Sequence, residues 1–205
     1  MPSEARRAGQ LQSVVGILLA AGRGVRFDPD GGRNKLLQAL SDETPVCVAA
    51  ARLLTKRLTR VIAVVRPDAA DVAAALKQAG CIMVESERAK EGMGASLADG
   101  VAASMTLAPD ADGWLVALAD MPFISADTVA SVLESPIGTD GIAAPFHEGQ
   151  RGHPVLFGAG NGATLGSLRG DAGARDLLAS HPIHRVPVDD PGILRDIDRP
   201  ADLET

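Results

Sequence analysis

A glycine-rich segment after the first apolar run contains residue types that suit a phosphorylated ligand. Residues 18–27 read Leu-Leu-Ala-Ala-Gly-Arg-Gly-Val-Arg-Phe. Glycine and other small residues let a ligand approach the backbone, and consecutive N–H groups in such loops bind anions. Arg23, Arg26 and, further along, Lys35 add the positive charge that phosphates require. The segment is therefore a candidate phosphate-binding loop; the alternative is a surface turn with solvated arginines.

Two common phosphate-binding patterns are excluded by the residues themselves. A Rossmann dinucleotide fingerprint would need glycine where Phe27 stands, and a Walker loop needs a Gly-Lys pair, which the chain lacks. The remaining pattern is a nucleotidyl-transfer loop. There, small residues meet the base and phosphates, and an arginine and a lysine hold the phosphate charge.

Asp120 follows a strongly apolar run, and this placement favours a metal-binding role. Residues 114–119 read Trp-Leu-Val-Ala-Leu-Ala, which is typical of a buried strand. An ionised carboxylate beside such a strand is costly unless a cation pairs with it. Mg²⁺ binds carboxylate oxygens together with substrate phosphates, so we predict Asp120 as its ligand. The alternative is a cap for the helix after Pro122, although Ser125 suits that cap better.

A second acidic pair lies near the carboxyl terminus. Asp196 and Asp198 flank Ile197 shortly before Pro200, which suits the first position of a short helix. Alternation along an extended segment points both aspartates to the same face. One of them could complete the metal site with Asp120, and the other could cap the helix.

Apolar runs alternate with helical patterns along the chain, and this alternation predicts the fold. Strands are predicted at residues 14–19, 61–65, 81–84, 114–119, 142–144 and 154–157. Helices are predicted at residues 44–58, 69–79, 95–105, 125–134 and 172–179. Such an order indicates βαβ units, so the predicted class is α/β, with three layers and a mostly parallel, Rossmann-like sheet.

Local signals set the predicted boundaries. Asp68 is predicted to cap the helix at 69–79, and Gly80 to end it. The stretch 136–152, rich in glycine and proline, is predicted as an insertion over the sheet edge. Residues 1–12 are polar and lack periodicity, so we expect a loose extension there and a single domain over residues 13–205.

Composition limits the classes of partner. The chain has 205 residues and a net charge of −6, which argues against binding to nucleic acid, since a duplex binder needs a basic face. Cys47 and Cys81 are its two cysteines, and they form no zinc-ligand pattern. The apolar run 14–21 is too short to span a bilayer, so no membrane association and a cytoplasmic location are expected.

Six segments, in the same order, resemble the molybdenum-cofactor nucleotidyltransferases of the MobA/MocA-like type, and most closely their cytidylyltransferase branch. The segments are Leu19–Gly22 with Lys35–Leu37, Gly92–Leu97, Ala119–Pro122, Arg151–Phe157, Gly170–Arg175 and Asp196–Leu203. The resemblance implies a sheet of the nucleotide-diphospho-sugar transferase type. It also implies Mg²⁺-dependent transfer of CMP from CTP to molybdopterin, with a molybdenum hydroxylase or its maturation chaperone as a further partner.

The resemblance also assigns roles to residues. Lys35, Arg26 and Asp120 would be catalytic: Lys35 and Arg26 would hold the triphosphate, and Asp120 would bind Mg²⁺ with Asp198. The implied nucleotide-binding residues are Leu19, Ala20, Ala21, Gly22, Arg23, Gly24, Gly92 and Ser96. The implied acceptor-binding residues are Gly152, His153, Pro154, Asp171, Gly173 and Arg175. Without the resemblance, His153 would equally suit a core or a turn.

The choice of base rests on two positions near the first loop and on the Gly152-His153-Pro154 segment, which is typical of the cytidylyl branch. Ala21 and Asn34 stand where the guanylyl branch has glycine and aspartate, which favours CTP over GTP. The chain departs from the family pattern at Phe27 and Asp28, in the longer loop that follows them, and at Ser86-Glu87, where the family often has Asn-Pro. A GTP-dependent enzyme, another nucleotidyltransferase of this fold and a non-catalytic cofactor-handling relative remain the alternatives.

Overall fold

One sheet of eight strands runs through the residues that the computed structural model describes, namely 9–30, 32–171 and 174–203. The strands are β1 (Val14–Leu19), β2 (Val61–Val65), β3 (Ile82–Glu85), β4 (Gly113–Leu118), β5 (Ile142–His147), β6 (Gln150–Arg151), β7 (Val155–Gly158) and β8 (His184–Pro187). Their spatial order is β3-β2-β1-β4-β7-β5-β6, and β8 also pairs with β5. Because β6 and β7 run against the other six strands, the sheet is mixed but mostly parallel, which confirms the predicted class.

Helices cover both faces of this sheet. They are α1 (Val46–Thr55), α2 (Ala70–Gln78), α3 (Met93–Leu107), α4 (Ala126–Leu133), α5 (Gly162–Gly166) and α6 (Arg175–Ser180). Residues of α1, α2 and α4 share one buried apolar cluster, and residues of α3, α5 and α6 share another. Neighbouring residues of β1 enter different clusters, Leu18 the first and Leu19 the second, as the alternation of side chains along a strand requires. None of the helices in the described residues is long and apolar enough to cross a bilayer.

Small residues allow α3 to lie close to the sheet. A Cβ atom on Gly100 would come within 2.8 Å of Val64 Cγ2 and 3.0 Å of Ile17 Cγ2, so only glycine fits this contact without a shift. One turn further along α3, the buried hydroxyl of Ser104 accepts a hydrogen bond of 2.6 Å from the indole N–H of Trp114 on β4. This packing fixes the start of α3, where the Gly92–Gly94 loop lies.

Several predicted boundaries are confirmed and others are wrong. The hydroxyl of Ser125 caps α4, and Gly80, with a φ of +92°, follows α2 as predicted. The stretch 136–152 is not an insertion over the edge, because β5 and β6 lie within the sheet and pair with each other. Strands β6 and β8 and helix α5 were not predicted, since they are too short to show a periodicity.

The predicted cap at Asp68 is also wrong. Helix α2 begins without a side-chain cap, and the carboxylate of Asp68 instead accepts a hydrogen bond of 2.8 Å from Arg66 Nε. At the amino terminus, Leu11 is buried, and the N–H groups of Gln12 and Ser13 donate to Asp112. The predicted loose extension therefore does not include residues 9–12, and its residues 1–8 lie outside the described residues.

A buried carboxylate joins α4 to the carboxyl-terminal segment. Asp190 accepts hydrogen bonds from the N–H of Ser125 at 2.8 Å, from the hydroxyl of Thr128 at 2.6 Å and from the N–H of Gly192 at 3.0 Å. Burial alone would raise the pKa of Asp190, but these hydrogen bonds hold it below its ordinary value. The ionised carboxylate therefore stabilises the folded state.

We expect Asp190→Asn to lower the free energy of unfolding by about 1–3 kcal/mol at neutral pH, because an amide places a donor against N–H and O–H donors. Since the folded-state pKa is lowered, this stabilisation is present above the ordinary carboxyl pKa and is lost as the pH falls through the folded-state value. The difference in the free energy of unfolding between variant and wild type should therefore become smaller at acidic pH. Urea unfolding followed by the fluorescence of Trp114, the single tryptophan, measures it.

The matched control is Asp189→Asn, since Asp189 is the exposed neighbour of Asp190. We expect this control to change stability by no more than about 0.5 kcal/mol at any pH. Equal effects of the two substitutions would contradict the role of the buried carboxylate.

Candidate active site

The carboxyl ends of β1 and β4 open onto the same edge of the sheet, and the carboxyl-terminal segment returns to this edge. The N–H of Ile197 donates to the carbonyl of Asp120 at 2.9 Å, and the Ile197 side chain is fully buried. Because Ile197 points inward, its neighbours Asp196 and Asp198 project to the other side, as the predicted alternation requires. The structure therefore brings these two aspartates to Asp120.

Lys35 lies between two of these carboxylates. Its Nζ is 2.6 Å from Asp120 Oδ2 and 3.1 Å from Asp198 Oδ1, and its side chain is 8% exposed. Burial by itself would lower the pKa of Lys35, but the two carboxylates raise it above the ordinary value, so the ammonium stays charged. Arg26 Nη1, which is exposed, lies 2.6 Å from the other oxygen of Asp198.

A short 3-10 turn sets the position of Lys35. Lys35 begins the turn Lys35–Leu37, and the side-chain oxygen of Asn34 accepts a hydrogen bond of 3.1 Å from the N–H of Leu36. Leu36 is buried in the core, which fixes the turn against the sheet. Asn34 thus serves as the cap of the turn that carries the catalytic candidate.

The three carboxylates form a set that could hold a divalent cation. Oxygens of Asp120, Asp196 and Asp198 all lie within 4.8 Å of one another. Asp196 is the most exposed of the three, yet partial loss of solvent and the charges of Asp198 and Asp120 raise its pKa, and the charge of Lys35 offsets this only in part. Hard oxygen donors at this spacing fit Mg²⁺ or Mn²⁺.

The alternative role of the carboxyl-terminal aspartates, a helix cap, belongs to a different residue. Asp202 Oδ2 accepts hydrogen bonds from the N–H groups of Asp198 at 2.9 Å and Arg199 at 2.7 Å. Asp202 lies in the 3-10 helix Pro200–Leu203, so a side chain of this helix bonds the N–H groups that precede it. Asp196 and Asp198 are therefore both available to the site.

The first loop departs from the family pattern but is internally organised. Phe27 is buried in the core, and the N–H groups of Phe27 and Asp28 donate to the carbonyl of Gly24, which has a φ of +64°. The N–H of Arg33 donates to Asp28 Oδ2 at 2.6 Å and closes the longer loop. The buried ring of Phe27 and the hydrogen bond between Asp28 and Arg33 thus hold the segment that leads to Lys35.

A cleft of about 480 Å³ lies between this loop and the start of α3. A cavity of this size lies within the range of small-molecule sites. Of the predicted nucleotide-binding residues, its lining includes Leu19, Ala21, Gly22, Arg23, Gly92 and Ser96, together with Asp120. Ala20 and Gly24 do not line it; Ala20 is buried and its N–H extends the β1–β2 pairing to the carbonyl of Val64 at 2.9 Å.

Gly92 makes the turn into α3 at one wall of the cleft. Its φ is +127°, and a Cβ atom there would lie 2.2 Å from Asp171 Oδ1 and 2.5 Å from Gly170 C. Both the backbone conformation and the contact demand glycine. The N–H of Gly94 donates to the carbonyl of Gly170 at 2.8 Å, so the predicted nucleotide and acceptor segments touch directly.

A second cavity, of about 190 Å³, adjoins the cleft. Leu19, Met93, Leu118 and Asp171 line both cavities. The second cavity is also lined by the predicted acceptor residues His153 and Arg175, by Arg151, and by apolar side chains, which are Leu97, Val116, Val155, Phe157, Ala174 and Leu178. Another predicted acceptor residue, Gly173, lies outside the described residues.

His153 carries a buried ring nitrogen without a partner in the described residues. No hydrogen bond reaches its Nδ1, and burial, together with the charge of Arg151, lowers the pKa of His153 to about 4. The ring is therefore neutral at physiological pH and can donate or accept. Gly152 and Pro154 are buried beside it and do not line the second cavity; a Cβ atom on Gly152 would lie 2.3 Å from the carbonyl of Ile193. Their part in this segment is to shape the turn that carries His153.

Sequence reasoning missed one residue beside the site and left another undecided. Arg66, just past β2, donates to the carbonyls of Ala21 and Gly22 in the first loop. A charged residue at the end of a buried strand was the signal that identified Asp120, and the same signal was present at Arg66. Asp196 was considered, but it was not assigned as a metal ligand.

Ser86, where the family often has asparagine, has a structural partner. Its buried hydroxyl donates to Asp99 Oδ2 on α3 at 2.6 Å, and Arg88 donates to the other oxygen of Asp99 at 3.0 Å. Ser86 therefore connects the end of β3 to α3 through Asp99.

Comparisons with known proteins identify the family of the chain. Residues 16–186 match the sequence family described as the MobA-like NTP transferase domain. Among proteins with curated descriptions, none matches the chain significantly. Rv0371c from Mycobacterium tuberculosis H37Rv is 26% identical with a TM-score of 0.76, covering 95% of this chain and 100% of that one. A structure of Rv0371c in complex with manganese is 25% identical with a TM-score of 0.69, covering 95% and 94%.

A nucleotidyl transferase from Methanothermobacter thermautotrophicus shares the fold, at 23% identity and a TM-score of 0.77 over 93% of this chain and 94% of that one. The family match extends over most of the chain and includes most of β1, the Lys35 turn, Asp120 and the segments around both cavities. The chain therefore belongs to the MobA-like NTP transferase domain family and is a nucleotidyltransferase.

Proposed function

We propose that the protein transfers CMP from CTP to molybdopterin, with Mg²⁺, and so forms a dinucleotide cofactor and pyrophosphate. The observation that carries the proposal is the cluster of Lys35 and Arg26 against Asp120, Asp196 and Asp198 beside a glycine-walled cleft. Cations for a triphosphate and oxygen donors for a divalent metal are the two requirements of nucleotidyl transfer without a protein nucleophile.

In the proposed reaction, a phosphate oxygen of the acceptor attacks the α-phosphorus of CTP in line with the departing group. The new P–O bond joins CMP to the acceptor, and the bond to the β-phosphate oxygen breaks, which releases pyrophosphate. Lys35 and Arg26 stabilise the charge that develops on the pyrophosphate. Asp120, Asp196 and Asp198 would hold Mg²⁺, which would supply positive charge to the phosphate oxygens.

The preference for CTP rests on the first loop. Ala21, which the guanylyl branch replaces with glycine, lines the cleft. Asn34, the second position that favoured CTP, caps the Lys35 turn, so it supports the position of the lysine and carries no direct argument about the base. The GTP-dependent reaction is therefore the first alternative.

Molybdopterin as acceptor is supported by the family match and by the second cavity. Its apolar walls, with the unpartnered nitrogen of His153 and the guanidinium of Arg175 in the lining, suit a flat heterocycle with polar edges and a phosphate. The same proposal makes a molybdenum hydroxylase or its maturation chaperone the recipient of the product. A different phosphorylated acceptor is the alternative here.

We expect CTP with Mg²⁺ to raise the melting temperature of the protein by several degrees, because a ligand at 100 times its Kd adds about 2.7 kcal/mol. Thermal unfolding with each of CTP, GTP, ATP and UTP, with and without Mg²⁺, measures the preference. A shift with GTP alone would replace CTP in the proposal, and no shift with any nucleotide would favour the non-catalytic alternative.

We expect Asp120→Asn to lower the rate of CMP transfer by about 10²–10³-fold while the protein stays folded, since Asp198 continues to pair with Lys35. Release of pyrophosphate from CTP in the presence of molybdopterin measures turnover. Asp127→Asn is the control, because Asp127 is exposed on α4 and outside the cluster. A folded Asp120→Asn protein with wild-type turnover would remove the metal assignment.

We expect Asp196→Asn to weaken the binding of Mn²⁺ by at least about tenfold. Loss of a residue that only hydrogen-bonds to a metal ligand already lowers metal affinity by about that factor. Electron paramagnetic resonance of free Mn²⁺ during titration measures the affinity, and Mn²⁺ is the probe because Rv0371c was solved with manganese. Asp189→Asn, an exposed aspartate elsewhere, should bind as the wild type does. Unchanged affinity in Asp196→Asn would leave Asp120 and Asp198 as the proposed ligands.

A further inference from the structure

Arg66 contacts the first loop without lining the cleft, and it lines instead a smaller cavity of about 200 Å³ that shares Arg23 and Lys90 with the cleft. Arg66 Nη1 donates to the carbonyl of Gly22 at 2.8 Å and to the carbonyl of Ala21 at 3.3 Å. Its Nε donates to Asp68 Oδ1 at 2.8 Å, which orients the guanidinium. The Arg66 side chain is 16% exposed and Asp68 is 71% exposed. Of the two bonds to the loop, the one to Ala21 is partly buried and the one to Gly22 is exposed.

The planarity of the peptide bond converts these contacts into a direction for the N–H groups. In a trans peptide, the carbonyl of one residue and the N–H of the next point in opposite directions. Holding the carbonyls of Ala21 and Gly22 toward Arg66 therefore turns the N–H groups of Gly22 and Arg23 away from it. Arg66 does not line the nucleotide cleft, whereas Ala21, Gly22 and Arg23 do.

The N–H groups of this loop are available to a ligand. Within the described residues, the N–H groups of residues 21–26 donate to no backbone or side-chain acceptor, whereas Ala20 on one side and Phe27 on the other are bonded. A Cβ atom on Gly22 would have no neighbour within 4 Å, so the backbone there is open to approach. Consecutive unpaired N–H groups form a site for anions, and carbonyls turned to the same side would repel them.

We propose that Arg66 is a positioning residue of the nucleotide site. It holds two carbonyls behind the loop so that the N–H groups of Gly22 and Arg23 face the phosphates of the nucleotide. This proposal rests on the proposed function, because it requires a nucleoside triphosphate in the cleft. Arg66 itself lies outside the lining of the cleft and outside the carboxylate cluster.

The test compares Arg66→Ala with Arg60→Ala. Arg60 precedes the other end of β2 and pairs with Asp110 at 2.8 Å, so it is a matched arginine away from the cleft. Isothermal titration gives the Kd of the nucleotide that the wild type binds most tightly among CTP, GTP, ATP and UTP, in the presence of Mg²⁺. We expect Arg66→Ala to raise this Kd by about 10- to 100-fold, and Arg60→Ala to leave it unchanged.

Chemical rescue separates positioning from general loss of structure. Ethylguanidinium at a few millimolar should fill the space left in Arg66→Ala, donate to the same carbonyls and restore most of the nucleotide affinity. It should have no effect on the wild type or on Arg60→Ala. Asp68→Asn keeps the guanidinium but removes its orienting partner, so a smaller rise in Kd is expected.

The outcomes separate the two proposals. Wild-type affinity in Arg66→Ala would overturn the positioning role and leave the proposed function intact. A loss of affinity that ethylguanidinium does not restore, with a matching loss of melting temperature, would assign Arg66 to stability alone and also overturn it. A wild-type protein that binds none of the four nucleotides would overturn the proposed function, and the role of Arg66 with it.

Discussion

Three carboxylates whose oxygens lie within 4.8 Å of one another repel each other strongly, and the active-site end of the molecule is built to offset that repulsion. Lys35 contacts two of them from a nearly buried position, and Arg26 contacts one from the surface. None of these pairs includes Asp196, whose pKa is raised. In the proposed function, a divalent metal would offset the remaining negative charge, and a triphosphate would pair with Lys35 and Arg26.

This arrangement requires the completed fold. Lys35 is separated from Asp120 by 85 positions and from Asp198 by 163, so neither contact can form from local structure. Each partner is delivered by a different element: a 3-10 turn anchored by Leu36, the end of the central strand β4, and a terminal segment anchored by Ile197. The backbone bond from Ile197 to Asp120 is the point at which the last segment is aligned with the sheet. Burial of these two apolar side chains therefore positions the charged groups of the candidate site as well as stabilising the fold.

The sequence predicted what depends on long apolar runs and on charge beside them. The central strands and the order of the helices followed from periodicity, and Asp120 followed from the cost of a carboxylate at the end of a buried strand. Strands β6 and β8 could not be predicted, because neither contains the apolar run that indicated β3 and β7, and both exist as strands through pairing with β5. Asp68 was misassigned because a helix cap and an ion-pair partner have the same residue type before a helix, and only the position of Arg66 distinguishes them. The three-carboxylate cluster needed the structure, since alternation placed Asp196 and Asp198 on one face without showing that both reach Asp120.

The first loop shows how a departure from a family pattern can preserve a site. Phe27 and Asp28 depart from the family pattern, yet the burial of Phe27 anchors the loop, and Asp28 closes the longer connection through the N–H of Arg33. The substitutions thus change how the loop is held to the domain. These substitutions do not affect the feature that a phosphate ligand requires. That feature is a run of backbone N–H groups with no acceptor within the protein, and the described structure retains it over residues 21–26. Because those donors belong to the backbone, side chains within the loop can change as long as the loop carbonyls point away from the ligand. In this chain, we propose that Arg66, at the end of β2, holds the carbonyls of Ala21 and Gly22 in that direction.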